Sequence, residues 1–264
     1  MQRFICYNCI KVPSVTNKIR PKSGFSYVVH LGLNALLPFL VFVLVRADFA
    51  EIALILILLS KWRMFSVRSR YWLANLRANS IDIIVGISLL IFMTNTGSVL
   101  WQLLWVVAYM LWLVVLKPGS TILAVGLQAL VGQTLGLMAV FIWLGSGVPP
   151  APLYQLIIAV WIVCYLSARH FFTVFEEPFT SLYSHTWGYF SACLIWILGH
   201  WLLYYGTFSQ PTVLLTVIGF GMASLYYLKD NDRLSAILKR QIILVMTAAV
   251  IVILVFSDWS SKII

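Results

Sequence analysis

Nine apolar stretches run through this chain, and its eighteen Lys and Arg residues are distributed between them so unevenly that sixteen fall on one side of alternate crossings. Only Arg46 and Lys262 fall on the other side. A hydrocarbon core about 30 Å thick requires roughly 20 apolar residues of helix rising about 1.5 Å each. The candidate spans are 27–45, 49–62, 81–97, 98–116, 121–145, 152–168, 187–206, 210–228 and 239–257. Backbone groups in lipid must be satisfied internally, and these runs lack the alternating polarity of barrel strands. The expected fold class is therefore all-α: a polytopic transmembrane helical bundle of nine spans, or eight if 49–62 does not cross.

The charges give an orientation. With nine spans, the tail (Arg3, Lys11, Lys18, Arg20, Lys22), the 61–80 loop, Lys117, Arg169 and the 229–240 loop (Lys229, Arg233, Lys239, Arg240) face one compartment, which the positive-inside rule makes the cytoplasm. The N-terminus is then cytoplasmic and the C-terminus outside, in what is expected to be a plasma (inner) membrane. The first apolar run is too long for a cleaved signal and reads as a retained helix. Residues 1–26 form a basic cytoplasmic tail, and 27–264 form a single helical domain with interfacial segments at 61–80 and 169–186. A hydrophobic fraction of 62% leaves little for a soluble domain. The net charge of +10 is a topological signal, and nucleic acid is not an expected partner.

Turn chemistry marks several boundaries. Lys117-Pro118-Gly119-Ser120 ends one helix and can cap the next, while Pro149-Pro150-Ala151-Pro152 and Ser209-Gln210-Pro211 open others with Pro where its missing N–H costs nothing. Trp and Tyr near span ends suit an aromatic belt. Asp48 and Glu51 have capping-box spacing at the second span, and Asp82 is expected to cap the third, with a contact to Arg77.

Polar groups at membrane depth are few. His200, flanked by Trp196 and Trp201, is expected to hydrogen-bond between helices, with proton or ligand handling as the functional alternative. Gln128, Gln133 and Asn34 are expected to bind helices together. The sharpest cluster is Arg169, His170, Glu176, Glu177 and His185, a candidate polar site at the cytoplasmic face. Its spacing fits no metal template, and Pro178 breaks any single helix carrying all five. Phe171, Phe172, Phe175, Phe179 and Leu182 recur at helical spacing, so a kinked interfacial segment is the competing account.

The 61–80 loop has the same character. Trp62, Phe65, Trp72, Leu73 and Leu76 share a helical face flanked by Lys61, Arg63, Arg68, Arg70 and Arg77, the candidate contacts for anionic lipid headgroups. Cys6 and Cys9 form a lone C-x-x-C without a second pair, so neither metal nor cofactor is expected.

Intramembrane prenyltransferases also place nine helices with the N-terminus inside and catalytic loops after helices two and six. Here the 61–80 loop has no acidic residue and 169–186 offers only Glu176 and Glu177, so magnesium-diphosphate chemistry lacks its ligands. The remaining expectation is a carrier or handler of a lipid or hydrophobic small molecule entered from the cytoplasmic leaflet, which predicts a cavity at that face. One alternative is a non-catalytic membrane subunit or scaffold bound to another membrane protein, which predicts a packed bundle; another is a membrane-embedded enzyme acting on a lipid-linked substrate. A reporter fused after residue 75 is expected to read cytoplasmic and one after residue 264 outside; an external signal at 75 overturns this orientation.

Overall fold

The computed structural model describes residues 25–66, 68–145, 152–199, 204–205 and 208–257. The basic tail with Cys6 and Cys9, the 149–151 turn residues, His200, Trp201 and Lys262 lie outside the described residues, as does the side chain of Arg63.

Among the described residues, ten α-helices carry the fold: α1 (Phe25–Arg46), α2 (Ala50–Leu59), α3 (Trp72–Ala78), α4 (Ser80–Thr94), α5 (Val99–Leu111), α6 (Ile122–Gly145), α7 (Leu153–Val174), α8 (Thr180–Leu198), α9 (Gln210–Asp230) and α10 (Ala236–Phe256). A widened turn over Trp112–Leu116 extends α5, with the Lys117 N–H donating to the Trp112 carbonyl five residues back. One short antiparallel ladder pairs β1 (Tyr204–Tyr205) with β2 (Phe208–Ser209).

Among the described residues, five helical segments are long and apolar enough to cross a membrane: 99–116, 122–144, 153–174, 210–230 and 236–256. A sixth is available if 69–78 and 80–94, bent by 60° at their junction, count as one span. This is an integral, all-α membrane protein. α2 is shorter than expected, because its ten residues rise only about 15 Å, half the hydrocarbon thickness.

Several sequence expectations are corrected by local chemistry. No capping box forms at α2, whose N-cap is Phe49 without a side-chain bond. Asp48 instead takes a left-handed φ of 61°, and the bonds from Phe49 N to Leu44 O and from Asp48 N to Val45 O close α1 with a Schellman turn. The 61–80 segment is not one interfacial helix. It is split into short 3₁₀ turns at Trp62–Phe65 and Ser69–Tyr71 followed by α3, with Trp62, Phe65, Trp72, Leu73 and Leu76 exposed.

The 169–186 segment is not a separate interfacial element either. α7 continues past 168 to Val174, a turn holds Glu176 at φ 51° beside Pro178, and α8 starts at Thr180 rather than 187. The polar residues that made 180–186 look like loop satisfy themselves within the helix. Ser184 Oγ donates to Thr180 O at 2.6 Å, Thr186 Oγ1 to Leu182 O at 2.9 Å, and His185 Nδ1 lies 2.7 Å from Ser181 O.

Asp82 is buried in the first turn of α4, but it neither caps that helix nor pairs with Arg77. Its Oδ2 accepts from Lys61 Nζ and, at 2.6 Å, from Lys117 Nζ, while its Oδ1 accepts from Trp112 Nε1 at 2.9 Å. Lys61, expected among the outward headgroup contacts, is 6% exposed in this cluster. Two ammonium groups and an indole on one carboxylate bring the end of α2, the start of α4 and the end of α5 to one level. Arg68, Arg70 and Arg77 remain exposed.

Close helix approach comes from α6. A Cβ at Gly132 would stand 2.7 Å from Ile81, and one at Gly136 would stand 2.7 Å from Ile84 and 2.8 Å from Val163. This Gly-x-x-x-Gly face admits α4 and α7 at backbone distance.

Removing one partner of a buried ion cluster strands the others. Asp82→Asn is expected to cost about 3–5 kcal/mol, with partial recovery when Lys61→Met is added. Unfolding titrations in detergent check this, and a change below about 1 kcal/mol would show the cluster to be dispensable.

Candidate functional site

The expected cytoplasmic cluster does not form one site. Its five residues divide among three places at the same end of the bundle.

On the outer side of α7 and α8, Arg169 Nη1 donates to the Tyr165 hydroxyl at 2.9 Å. His185 packs 4.6 Å from the Tyr165 ring and 6.2 Å from Trp161. On the inner side, His170 Nε2 lies 3.2 Å from Gln128 Oε1. Gln128 Nε2 donates to the carbonyls of Leu116 at 2.6 Å and Gly119 at 3.0 Å, so this side chain ties the end of α5 to the start of α6 and to α7. At the turn beyond α7, Glu177 accepts from the Tyr226 hydroxyl of α9. Glu176 holds the left-handed turn residue. Among the described residues, no three His, Cys, Asp or Glu side chains gather around a common point.

Beside Tyr226 the bundle is hollow. α6, α7, α8 and α9 enclose a cavity of about 510 Å³, inside the range of roughly 300–1,000 Å³ in which pockets bury small ligands. Small residues create the space: Gly126 and Ala129 on α6, Ala168 on α7, Gly219 and Ala223 on α9. Aromatic residues shape it. Phe171, Phe172, Tyr183, Trp187, Phe190 and Tyr226 line the walls, and Tyr226 stands at 5.9 Å, 5.1 Å and 5.0 Å from the rings of Phe171, Phe172 and Phe175.

Gln133, expected as interhelical glue, is one of the lining residues. Its Nε2 donates to Leu215 O of α9 at 3.1 Å and its Oε1 accepts from Trp187 Nε1 of α8 at 3.0 Å. Ser167 lies buried in the α7 wall, and its hydroxyl has no hydrogen-bond partner. Of the α8 and α9 side chains on the lining, Tyr183, Phe190 and Met222 are exposed, so the chamber opens sideways between those two helices. Lys229 stands at its outer end and is exposed.

The sequence placed polar chemistry at this end of the bundle and led to the expectation of a cavity at this face, but it did not identify the residues that line the chamber. Gly126, Ala129, Gly219 and Ala223 signalled it, but a small residue in an apolar helix marks close packing as readily as a void. Comparison with family models, with curated proteins and with solved structures returned no match.

Gln133→Ala removes two interhelical bonds and leaves the half-buried Trp187 N–H unpaired. A loss of about 1–2 kcal/mol is expected, read as a lower midpoint in detergent unfolding; an unchanged midpoint would mean that the α8 and α9 walls stand without Gln133.

Proposed function

We propose that this protein binds a lipid or hydrophobic small molecule in the chamber between α6, α7, α8 and α9, and that the ligand enters sideways from the cytoplasmic leaflet. The observation that carries the reading is the chamber itself: an apolar, aromatic-walled volume of about 510 Å³ with its side opening between α8 and α9. A packed scaffold has no use for such a space, since a void forfeits dispersion contacts along its lining. The unpartnered Ser167 hydroxyl adds support, because a buried polar group without a partner calls for one the bare protein lacks.

Binding is favoured over catalysis by how the chamber's polar groups are spent. Gln133 is committed at both ends of its amide, Trp187 donates to it, and Thr186 donates to its own helix. Among the described residues, no acid-base pair lines the chamber. The cytoplasmic assignment follows from charge: Lys61, Lys117, Arg169 and Lys229 gather at the end where the chamber lies, and such residues accumulate inside. The nine-span topology with an external C-terminus, and a plasma-membrane location, belong to the same proposal.

Native mass spectrometry of protein extracted with its own lipid supplies the test. A stoichiometric apolar ligand is expected on the wild type. It is expected to be lost from Gly219→Leu, whose Cβ starts 3.0 Å from Gln133 Nε2 and 3.3 Å from Trp187, and from Met222→Trp at the exposed opening. Ligand retained by a folded Met222→Trp and Gly219→Leu alike would place it elsewhere. An empty wild type carrying a second protein would make the chain a subunit.

A further inference from the structure

We infer that the chamber's ligand is an amphiphile with one apolar chain and an anionic head, carboxylate or phosphate, the chain lying against Gln133 and the head resting at Lys229. This rests on the reading of the chamber as a ligand site and names what the site selects.

The chain follows from the lining. From Gly126 and Ala129 to Phe190 and Met222 the walls present almost entirely apolar atoms; Gln133 and Trp187 are paired to each other and to backbone, and Ser167 offers a single unpartnered hydroxyl. A head with several donors or acceptors placed there would lose its water without replacement. The polar end of an amphiphile must therefore remain at the mouth.

The sign of the head follows from how the mouth's charges are spent. Glu177, in the turn after α7, accepts from Tyr226, which lies one turn before Lys229 on α9. Lys229 makes no salt bridge among the described residues, where both ion pairs belong to Asp82. The turn after α9 carries Arg233 and the start of α10 adds Lys239 and Arg240, which with Lys229 outnumber the neighbouring Asp230 and Asp232. An exposed ammonium at the rim of an apolar cleft focuses its field on an approaching anion. Tyr226 and Phe172 beside it give the first carbons of a chain an aromatic surface.

A single chain follows from the opening. The ligand must pass between Tyr183 and Phe190 on α8 and Met222 on α9 into a space of about 510 Å³, whose walls include Phe171, Phe172 and Trp187.

Photo-crosslinking tests this on the full chain in phosphatidylcholine nanodiscs. The probes are hexadecanoic acid, a single-chain lysophosphatidate, hexadecanol and a diacyl phosphatidate, each with a diazirine on the chain, and labelled peptides are mapped by mass spectrometry. The acid and the lysophosphatidate are expected to label α6 and α9 around Ala129 and Gly219 about five-fold more than hexadecanol, the scale of one Lys contact. Lys229→Glu is expected to bring them down to the hexadecanol level, while Lys239→Glu leaves them unchanged. A preference for one anion identifies the head as carboxylate or phosphate.

Equal labelling by hexadecanol, with no effect of Lys229→Glu, overturns the anionic head and leaves the chamber reading intact. Diacyl phosphatidate labelling as strongly as its single-chain counterpart overturns the single chain. Absence of label from these peptides with every probe overturns the chamber reading itself. Lys229 is exposed, so its variant tests recognition without disturbing the core.

Discussion

A carboxylate near the end of a membrane helix has to find positive charge, and the way Asp82 finds it organises half of this molecule. One partner, Lys61, ends the short α2, and the other, Lys117, follows α5, so three segments remote in sequence meet at a single side chain. Trp112 can donate to the other oxygen because the backbone there opens into a wide turn. Without that ion cluster, Lys61 would belong with Arg68, Arg70 and Arg77 on the outside. With it, a residue that resembles a lipid anchor becomes a strut. A desolvated cluster of this kind contributes little net stability over an apolar core, but it fixes which segments meet.

The second organising element is α6, the helix with the largest buried share among the candidate spans. Its Gly132 and Gly136 let α4 and α7 press against backbone, while Gly126 and Ala129, nearer the basic end, face the chamber. The same small residues thus give contact in one half and space in the other. What separates the outcomes is the partner: Ile81, Ile84 and Val163 fill the gaps beside Gly132 and Gly136, whereas α9 opposes the other stretch with Gly219 and Ala223. Gln133 sits where these regimes meet and props α8 and α9 against α6. At the other extreme α10 buries almost nothing and packs mainly on α9.

The legibility of this fold in its sequence varied with the physics of each segment. α6 and α9 begin and end within two residues of their apolar runs, because Pro, Gly and charge punctuate them. α8 was misplaced because apolarity is a poor guide where Ser, Thr and His can bond the carbonyl one turn back, as Ser184, Thr186 and His185 do, while the apolar 201–205 stretch invites inclusion. The five-residue cluster at 169–185 was visible as composition, but α7 places Arg169 and His170 on different faces and the turn carries Glu177 to α9. Pairings such as Gln133 with Leu215 join residues too far apart in the chain for any local pattern to announce them.

The shortness of α2 bears on the topology in a way that span counting misses. Counted as a failed span, 49–62 would reverse the orientation of everything after it. The Schellman turn at Asp48 folds α2 back along α1, and Lys61 then meets Asp82 and Lys117, so the chain re-emerges at the basic end before α3 begins. α1 packs along α5 and the Trp112–Leu116 turn that finishes there. An α1–α2 pair that enters and leaves at one end has the same parity whether it crosses fully or only partway. The Asp82 cluster thus fixes the start of the 61–80 loop within the bundle, beside Lys117 at the end of α5.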